Sequence, residues 1–410
     1  MKIQMKKYKK PVIILIFLLC ILTILFPFEH GHKNDLGSFY EWIWYMRDVG
    51  LTNIYQFKDV NYFPFFLYIL ALFGLFFPNS INLIENIYRI KSLLVVFDYA
   101  TIGVVVWLLK KVKIKPWYSL MILLNPAYLY NSLFWGQIES IYIFFVISAF
   151  IAGINKKPLL AIVCYVFAFY TKMQAIVFLP GIVLLLLPGM YRTPKKIIWA
   201  GITLVATNII VVLPFIANLS SMYSNVLKSV DFFPFLTVNA TNIWNIIFLN
   251  NSRNISDTLY FGIFTYRTWG ILLFCIASIM ILIPIFLNTL KIRKKKLNLT
   301  KKYIGDFFLA NAMVSFAFYA LCTQMHERYL QPTIILLGLA YIFKRGKSLL
   351  ALYILTSIGF VLNLEKVLTY LDTQQVFMQF IPSPLIACFM MALFVWGIVE
   401  IYKGKITKHP

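Results

Sequence analysis

Residues 89–115 read RIKSLLVVFDYATIGVVVWLLKKVKIK, and this stretch decides the fold. The run from Arg89 to Leu109 is almost entirely apolar, and a basic cluster follows it at once. A helix rises 1.5 Å per residue, so about twenty apolar residues match a hydrocarbon core of about 30 Å. Lysines are retained on the cytoplasmic side of such a run. The same pattern recurs along the chain, which predicts a multi-pass membrane protein.

The composition supports this interpretation and excludes several others. The chain has 410 residues, of which 61% are hydrophobic and 13% charged, whereas about a quarter of the residues in soluble domains are charged. The net charge of +23 does not indicate nucleic-acid binding, because the basic residues sit at the ends of apolar runs. The five cysteines lie in apolar runs without CxxC spacing, which predicts neither a disulfide framework nor a metal site.

Because the apolar runs show no strict alternation, we expect helices and no transmembrane barrel. The predicted fold class is all-α, with one domain over residues 1–410, about 12 transmembrane helices and both termini cytoplasmic. The first span is expected to be uncleaved. The predicted spans are 11–28, 89–109, 117–133, 139–154, 159–170, 175–187, 197–217, 268–290, 303–322, 329–343, 348–363 and 381–402. The hairpin 159–187 is short for a full crossing.

Two long outer loops, 29–88 and 218–267, follow from this topology. The first contains an apolar run, Tyr62 to Phe77, that could be mistaken for a span. Sixteen helical residues extend only about 24 Å, and counting them as a span would move the lysines after Leu109 to the outer face. We therefore predict a membrane-surface helix in the first outer loop, within the outer leaflet.

The first outer loop also gathers many of the acidic residues, and Asp35 is its candidate working carboxylate. Polar residues from the other outer segments should reach the same face of the membrane. Ionisable groups at membrane depth are costly unless they are paired or face a cavity, so their convergence predicts one site. The candidate residues are Asp35, Asp59, Gln137, Glu139, Lys172, Gln174, Trp244, Asn245, His326, Glu327 and Arg328.

Cations beside a carboxylate suit an anionic lipid donor. Lys172 and Arg328 could bind a phosphate, and Asp35 could take a proton from an acceptor hydroxyl. A single base favours single displacement with inversion. His30 and His32 lack a third ligand at a fixed spacing, so no metal is predicted there.

An ordered series of motifs resembles the GT-C membrane glycosyltransferases, and within them the bacterial relatives of the mannosyltransferase that adds the second mannose to GPI anchors. The series covers nearly the whole chain. It consists of Asp35, Gly50 with Tyr55, Tyr62-Phe63-Pro64, Asp98, Asn125-Pro126-Ala127, Phe134-Trp135-Gly136-Gln137, Lys172-Met173-Gln174, Trp244-Asn245 and His326-Glu327-Arg328-Tyr329. Three marks depart from the family pattern: Phe65 replaces a second proline, Met173 replaces a proline, and Glu139 stands for an aspartate expected one residue earlier.

The resemblance implies a transfer of mannose or glucose from a polyprenyl-phosphate donor to an extracytoplasmic glycan, lipid or protein acceptor. It implies Asp35 as the base, His326, Arg328 and Lys172 as donor-phosphate residues, and no cofactor. The expected location is the plasma membrane of a bacterium, with the bilayer and its lipid donor as partners.

Other interpretations stay open at this stage. Asp35 could cap a helix, Lys172 could extend to the interface, and Glu327 with Arg328 could pair only with each other. Asp98 is expected to make a buried structural hydrogen bond. A multi-span secondary transporter and a lipid-linked glycan polymerase or ligase are the alternative functions.

Overall fold

The computed structural model describes residues 16–29, 31–190, 194–294, 299–373 and 380–406. His30 and most of the residues predicted to begin the first span lie outside these ranges. The described chain is mainly helical, and its two strands form a hairpin in which β1 (Tyr260–Phe261) pairs antiparallel with β2 (Phe264–Thr265). This confirms the predicted all-α class, as expected for apolar segments that satisfy their backbone groups internally.

Within the described ranges, six helical segments are long and apolar enough to cross a membrane. They are Ser80–Lys111, Pro194–Asp231, Tyr266–Ile292, Lys301–Leu321, Lys347–Leu368 and Ser383–Lys403. Shorter apolar helices of 10–17 residues accompany them. These features are those of a multi-pass membrane protein.

The α-helices are numbered in chain order. They are α1 Ile16–Leu25, α2 Lys33–Val49, α3 Pro64–Gly74, α4 Ser80–Asn86, α5 Ile90–Lys111, α6 Leu120–Leu123, α7 Pro126–Tyr130, α8 Glu139–Ile154, α9 Pro158–Thr171, α10 Leu179–Met190, α11 Pro194–Val212, α12 Leu219–Lys228, α13 Ile243–Phe248, α14 Tyr266–Lys294, α15 Lys301–Leu321, α16 Gln331–Lys344, α17 Lys347–Thr373 and α18 Ser383–Ile406. Short 3-10 helices join several of them, at Leu51–Gln56, Ile87–Arg89, Pro116–Ser119, Met173–Phe178, Leu213–Asn218, Ser229–Asp231, Leu249–Arg253 and Glu327–Leu330.

The prediction that 117–133 forms one continuous helix was wrong. The segment is divided into a 3-10 turn, α6, α7 and a π-helical turn at Asn131–Trp135. Asn125 is extended (φ −79°, ψ 116°) because the proline after it disfavours the helical conformation, and its side chain caps α7 by accepting from the Ala127 amide. Gly136 then ends the π turn at φ 89°, a conformation that favours glycine.

The predicted end of the eleventh span at Asn363 was also wrong. Helix α17 continues to Thr373, so Glu365 lies in a helix and not in a loop. No glycine or proline follows Asn363 within this helix. The Asn363 side chain bonds Thr241 and Tyr319 instead of capping a helix end.

Helix α3 has 11 residues, or about 16 Å, which is too short to cross a hydrocarbon core. It begins at Pro64, which has no amide hydrogen to leave unsatisfied at a helix start. Its residues Phe66, Leu67 and Leu70 are fully buried in a hydrophobic core that the segment 29–88 shares with α5, α8, α9, α11 and α12. The segment 29–88 is therefore packed against these helices and is not an open loop.

Helix α15 lies at the centre of the second and larger core. In an 18-residue apolar stretch of α15, 89% of the residues are buried inside the protein, compared with 22% in α14. The surface of α14 is therefore free to face lipid. Helices α8 and α16 pack in the same core as α15. Their ends, together with the N-terminus of α2, position the candidate site.

Candidate functional site

Asp35 lies in the first turn of α2, against the turn at residues 134–137 that precedes α8. Its Oδ2 accepts a hydrogen bond from Trp135 Nε1 at 2.9 Å. The backbone amide of His32 donates to the Trp135 carbonyl at 3.0 Å, and the His32 and Trp135 rings stack. A carboxylate in the first turn also benefits from the positive end of the helix dipole. The carboxylate of Asp35 is thus held in one position.

His32 provides a second contact to this carboxylate. Its Nδ1 lies 2.8 Å from Asp35 Oδ2 and 3.2 Å from the Asp35 amide nitrogen. We assign the ring proton of His32 to Nδ1. The close contact of Nδ1 with the charged Asp35 oxygen is attractive only when Nδ1 donates. Asp35 therefore accepts from both Trp135 and His32.

Lys91, at the start of α5, fixes the loop that carries Asp35 to the hairpin that carries Trp135. The side chain is fully buried, and its Nζ donates to the carbonyls of Phe28 (3.2 Å) and Phe134 (2.9 Å). A Cβ at Gly31 or at Gly136 would lie 3.0–3.3 Å from the Lys91 side chain. The two glycines therefore allow the lysine to pass between the segments.

A buried ion-pair cluster lies where α8 begins and α9 ends. Glu139 begins α8 and Lys172 follows the last residue of α9, so the hairpin places the two side chains at the same end. Lys172 Nζ donates to Glu139 Oε1, and Arg328 Nε lies 3.5 Å from that oxygen. All three side chains are less than 10% exposed.

Arg328 connects this cluster to the segment after α15. Its Nη1 donates to Glu327 Oε1 at 2.8 Å and lies 3.3 Å from His326 Nδ1. Arginine can only donate, so His326 Nδ1 must accept and the imidazole carries its proton on Nε2. Burial lowers the pKa of His326, and the charges of Arg328 and Lys172 lower it further. His326 is therefore neutral at physiological pH, with an N–H to donate.

Three aromatic rings enclose the cations. Lys172 Nζ lies 5.1 Å from the ring centre of Tyr329 and 5.9 Å from that of Tyr62. The guanidinium of Arg328 lies 5.8 Å from the ring centre of Trp135. The Tyr62 hydroxyl donates to Gln137 Oε1 at 3.3 Å, and Gln174 hydrogen-bonds Tyr329. Aromatic faces stabilise cations that have lost their water.

The charge of Arg328 also acts on Asp35. Burial on its own would raise the pKa of Asp35, but the positive charge of Arg328 and the hydrogen bond from His32 outweigh it, so that pKa is lowered. Asp35 is therefore ionised at every physiological pH.

Several buried polar atoms of the cluster have no hydrogen-bond partner within the described chain. They include Nε of Arg328 and the second carboxylate oxygens of Glu139 and Glu327. Buried polar groups are normally satisfied, so such exceptions need an explanation. This group contains a donor and two acceptors, which is the combination that hydroxyl groups of a ligand satisfy.

Eight of the predicted site residues meet in this cluster, directly or through one aromatic ring. They are Asp35, Gln137, Glu139, Lys172, Gln174, His326, Glu327 and Arg328.

Three predicted residues have other surroundings. Asp59 is exposed in a turn after the 3-10 helix Leu51–Gln56. Trp244 donates to the Leu321 carbonyl at 3.1 Å, and Asn245 completes the capping box of α13.

Sequence reasoning missed Lys91 and His32 as site residues. Lys91 carried a signal, since a lysine inside an apolar run on the predicted outer side opposes the cytoplasmic bias of basic residues. His32 was considered only as a metal ligand. Asp98, predicted to be structural, is buried in α5, and its carboxylate accepts from the Ser132 hydroxyl.

Comparison with protein-family models gives no match for this chain, and comparison with curated proteins gives none either.

Because Glu139 and Lys172 pair with each other, we expect their mutations to have non-additive effects on the free energy of unfolding. Glu139→Gln should lower the free energy of unfolding by about 3–5 kcal/mol, because it leaves Lys172 as an unpaired buried charge. Adding Lys172→Met should recover most of this loss, since no buried charge then lacks its partner. The free energies of unfolding of the single and the double variant are measured on the purified proteins in detergent. Additive losses in the double variant would show that the two side chains do not depend on each other.

Lys91→Met should also destabilise the protein. Each lost hydrogen bond from a charged donor is worth about 1.5–3 kcal/mol, and the carbonyls of Phe28 and Phe134 would lose their donor. Lys33→Met, which removes an exposed lysine of α2, is the matched control and should change the midpoint of thermal unfolding little. Equal midpoints for the two variants would contradict the role of Lys91.

Proposed function

We propose that this protein is a GT-C-like membrane glycosyltransferase that moves a hexose from a polyprenyl-phosphate carrier to an extracytoplasmic acceptor. The observation that carries the proposal is the set of unpaired polar atoms on Glu139, Glu327 and Arg328, beside an ionised Asp35. A sugar presents hydroxyls that both donate and accept, so it can satisfy all of these atoms. Because the atoms are enclosed, a substrate reaches them only after neighbouring side chains move aside.

The proposed base is Asp35. The acceptor hydroxyl oxygen attacks the anomeric carbon of the donor sugar, and Asp35 takes the hydroxyl proton. The bond between the anomeric carbon and the phosphate oxygen breaks, and polyprenyl phosphate leaves with the bonding electrons. One base and one displacement invert the configuration at the anomeric carbon. Trp135 and His32 hold the carboxylate while this happens.

Arg328 and His326 are the proposed phosphate ligands. Arg328 donates through Nη1 within the cluster, its Nε makes only a 3.5 Å ion-pair contact with Glu139, and its Nη2 makes no hydrogen bond in the described chain. His326 offers the Nε2 hydrogen. The Lys172 ammonium group is paired with Glu139, so Lys172 contributes its positive charge to the site. A neutral histidine and a planar guanidinium both donate to phosphate oxygens, and neither needs a metal ion to do so.

The course of the helices supports an outer-face site in a chain of about twelve spans with cytoplasmic termini. Helix α5 runs from Lys91, beside the site, to Lys110 and Lys111 at its other end. Helix α8 likewise runs from Glu139 toward the basic pair at 156–157, and α16 ends at Lys344. The site and the basic clusters therefore lie at opposite ends of these helices. Basic clusters mark the cytoplasmic side.

One observation favours a transporter as the second candidate. The chain at 116–135 is a discontinuous membrane segment, as in transporters whose substrate site lies between broken helices. In this protein the break at Asn125 is occupied by the chain itself, because the Asn125 side chain caps α7 and donates to Ser357. The unpaired groups lie elsewhere, on Glu139, Glu327 and Arg328. This favours the enzyme.

Asp35→Asn should reduce sugar transfer by at least about 100-fold, as expected when a general base is lost. Asparagine keeps the size and an oxygen that can still accept from Trp135, so the protein should fold. Asp59→Asn removes an exposed acid of the same segment and should retain full activity. Transfer is measured in proteoliposomes with a radiolabelled polyprenyl-phosphate hexose as donor and extracted envelope glycolipids as acceptors.

An active Asp35→Asn variant would refute the base assignment. If the wild-type protein instead moves the label across the proteoliposome membrane without forming a glycosylated product, the transporter is correct and the enzyme is not.

The topology can be tested by cysteine labelling after replacement of the five native cysteines. In whole cells, Asp59→Cys and Asn254→Cys should react with a membrane-impermeant maleimide, because both positions are exposed in the proposed outer loops. Lys111→Cys and Lys157→Cys should react only after the membrane is permeabilised. Labelling of all four positions in intact cells would exclude this topology.

A further inference from the structure

A second cavity, of about 420 Å³, lies apart from the Asp35 cluster. Its walls come from the segment 239–253, from the later part of α17 and from the residues that begin α18. The cavity is lined by Asn239, Asn245, Asn250, Ser252, Arg253, Asn363, Lys366, Val367, Pro382 and Ser383. Nothing in the proposed transfer step uses it.

The charge in this cavity is positive. Arg253 and Lys366 line it, and its walls contain no acidic side chain. Glu365, the neighbour of Lys366 in sequence, accepts a hydrogen bond from the Tyr130 hydroxyl. The start of α18 at Pro382 and Ser383 adds the positive end of a 24-residue helix. These three sources of positive potential come from three different elements of the fold.

The cavity also offers neutral hydrogen-bonding groups. The side-chain amides of Asn239 and Asn250 make no hydrogen bond within the described chain, whereas the amides of Asn245 and Asn363 are used in the protein itself. Asn239 has φ 73°, a left-handed conformation that asparagine tolerates better than most residues. Free amides beside cations suit a ligand in which a phosphate is flanked by hydroxyl groups.

The cavity adjoins the proposed donor site through one short backbone connection. Asn239 forms a bridge with His326, and the amides of Val238 and Ala240 both donate to the Met325 carbonyl. His326 in turn contacts Arg328. The cavity wall at Asn239 is therefore in backbone contact with the segment that carries the proposed phosphate ligands.

We propose that this cavity binds the acceptor, and that the acceptor is anionic, with a phosphate group next to free hydroxyls. The inference rests on the proposed glycosyl transfer and adds the chemical class of its second substrate. The phosphate lies between Arg253, Lys366 and the start of α18, and the hydroxyls meet Asn239 and Asn250. Such a phosphate occurs in lipid headgroups and in soluble or polymeric polyol phosphates.

Binding is tested by calorimetry on the full chain in nanodiscs of phosphatidylcholine, with glycerol phosphate and glycerol as probes. Glycerol phosphate should bind and glycerol should not. Arg253→Gln with Lys366→Gln should weaken binding by at least about tenfold, the effect of one lost charge-assisted hydrogen bond. Arg253→Gln alone should weaken it measurably without affecting folding, because Arg253 is exposed. Arg89→Gln with Lys228→Gln removes two exposed cations elsewhere and is the matched control.

A second arm distinguishes the sources of the phosphate. If lipid headgroups reach the cavity, nanodiscs that contain phosphatidylglycerol will compete with glycerol phosphate and lower its apparent affinity. If only soluble or polymeric phosphates reach it, the affinity will be unchanged. Equal binding of glycerol and glycerol phosphate, or equal binding by the double variant and its control, overturns the proposal.

The outcome is separable from that of the transfer function. Asp35→Asn should bind glycerol phosphate normally, because Asp35 does not line the cavity. Binding without any transfer by the wild type would refute the glycosyltransferase and keep the anion site. Transfer that is lost only in Asp35→Asn, with no binding of glycerol phosphate, would refute the anion site and keep the enzyme.

Discussion

The contact of Glu139 with Lys172 and Arg328 is the interaction on which the site depends. It joins the start of α8, the end of α9 and the segment after α15, so it connects three parts of the chain that are far apart in sequence. Burying such charges costs several kcal/mol per ion, and a hydrophobic replacement of similar volume would often be no less stable. Stability therefore does not explain why the cluster is charged. The unpaired oxygens of Glu139 and Glu327 point instead to a ligand.

Directional hydrogen bonds attach the segment 29–88 to the turn at 134–137. Lys91 donates to the carbonyls of residues 28 and 134, Asp35 accepts from Trp135, and the His32 amide donates to the Trp135 carbonyl. Such directional bonds fix the position of the Asp35 helix more narrowly than apolar packing alone would. A catalytic carboxylate must be held within about 0.5 Å of its productive position.

How much was predictable from the sequence differs from residue to residue, for physical reasons. The buried Glu139 and Lys172 were predictable, because an ionisable group at the end of an apolar run needs a partner and the hairpin brings these two ends together. Trp244 and Asn245 lie apart from the Asp35 cluster: Trp244 donates to the Leu321 carbonyl, and Asn245 completes the capping box of α13 and lines the second cavity. The break at Asn125 could have been inferred from the proline after it. The extension of α17 to Thr373 could not, since the role of Asn363 depends on Thr241 and Tyr319, which are distant in sequence.

The coupling between Arg328 and Asp35 gives the proposed mechanism an order of events. With the guanidinium charge uncompensated by substrate, the pKa of Asp35 is lowered, so the carboxylate is ionised but is a weak base. A phosphate bound to Arg328 adds a negative charge beside the guanidinium and reduces the positive potential at Asp35. The pKa of Asp35 then rises toward the range in which a carboxylate accepts a proton readily. Donor binding therefore activates the base, and an acceptor hydroxyl, or a water molecule, that arrives before the donor meets a carboxylate with little tendency to deprotonate it.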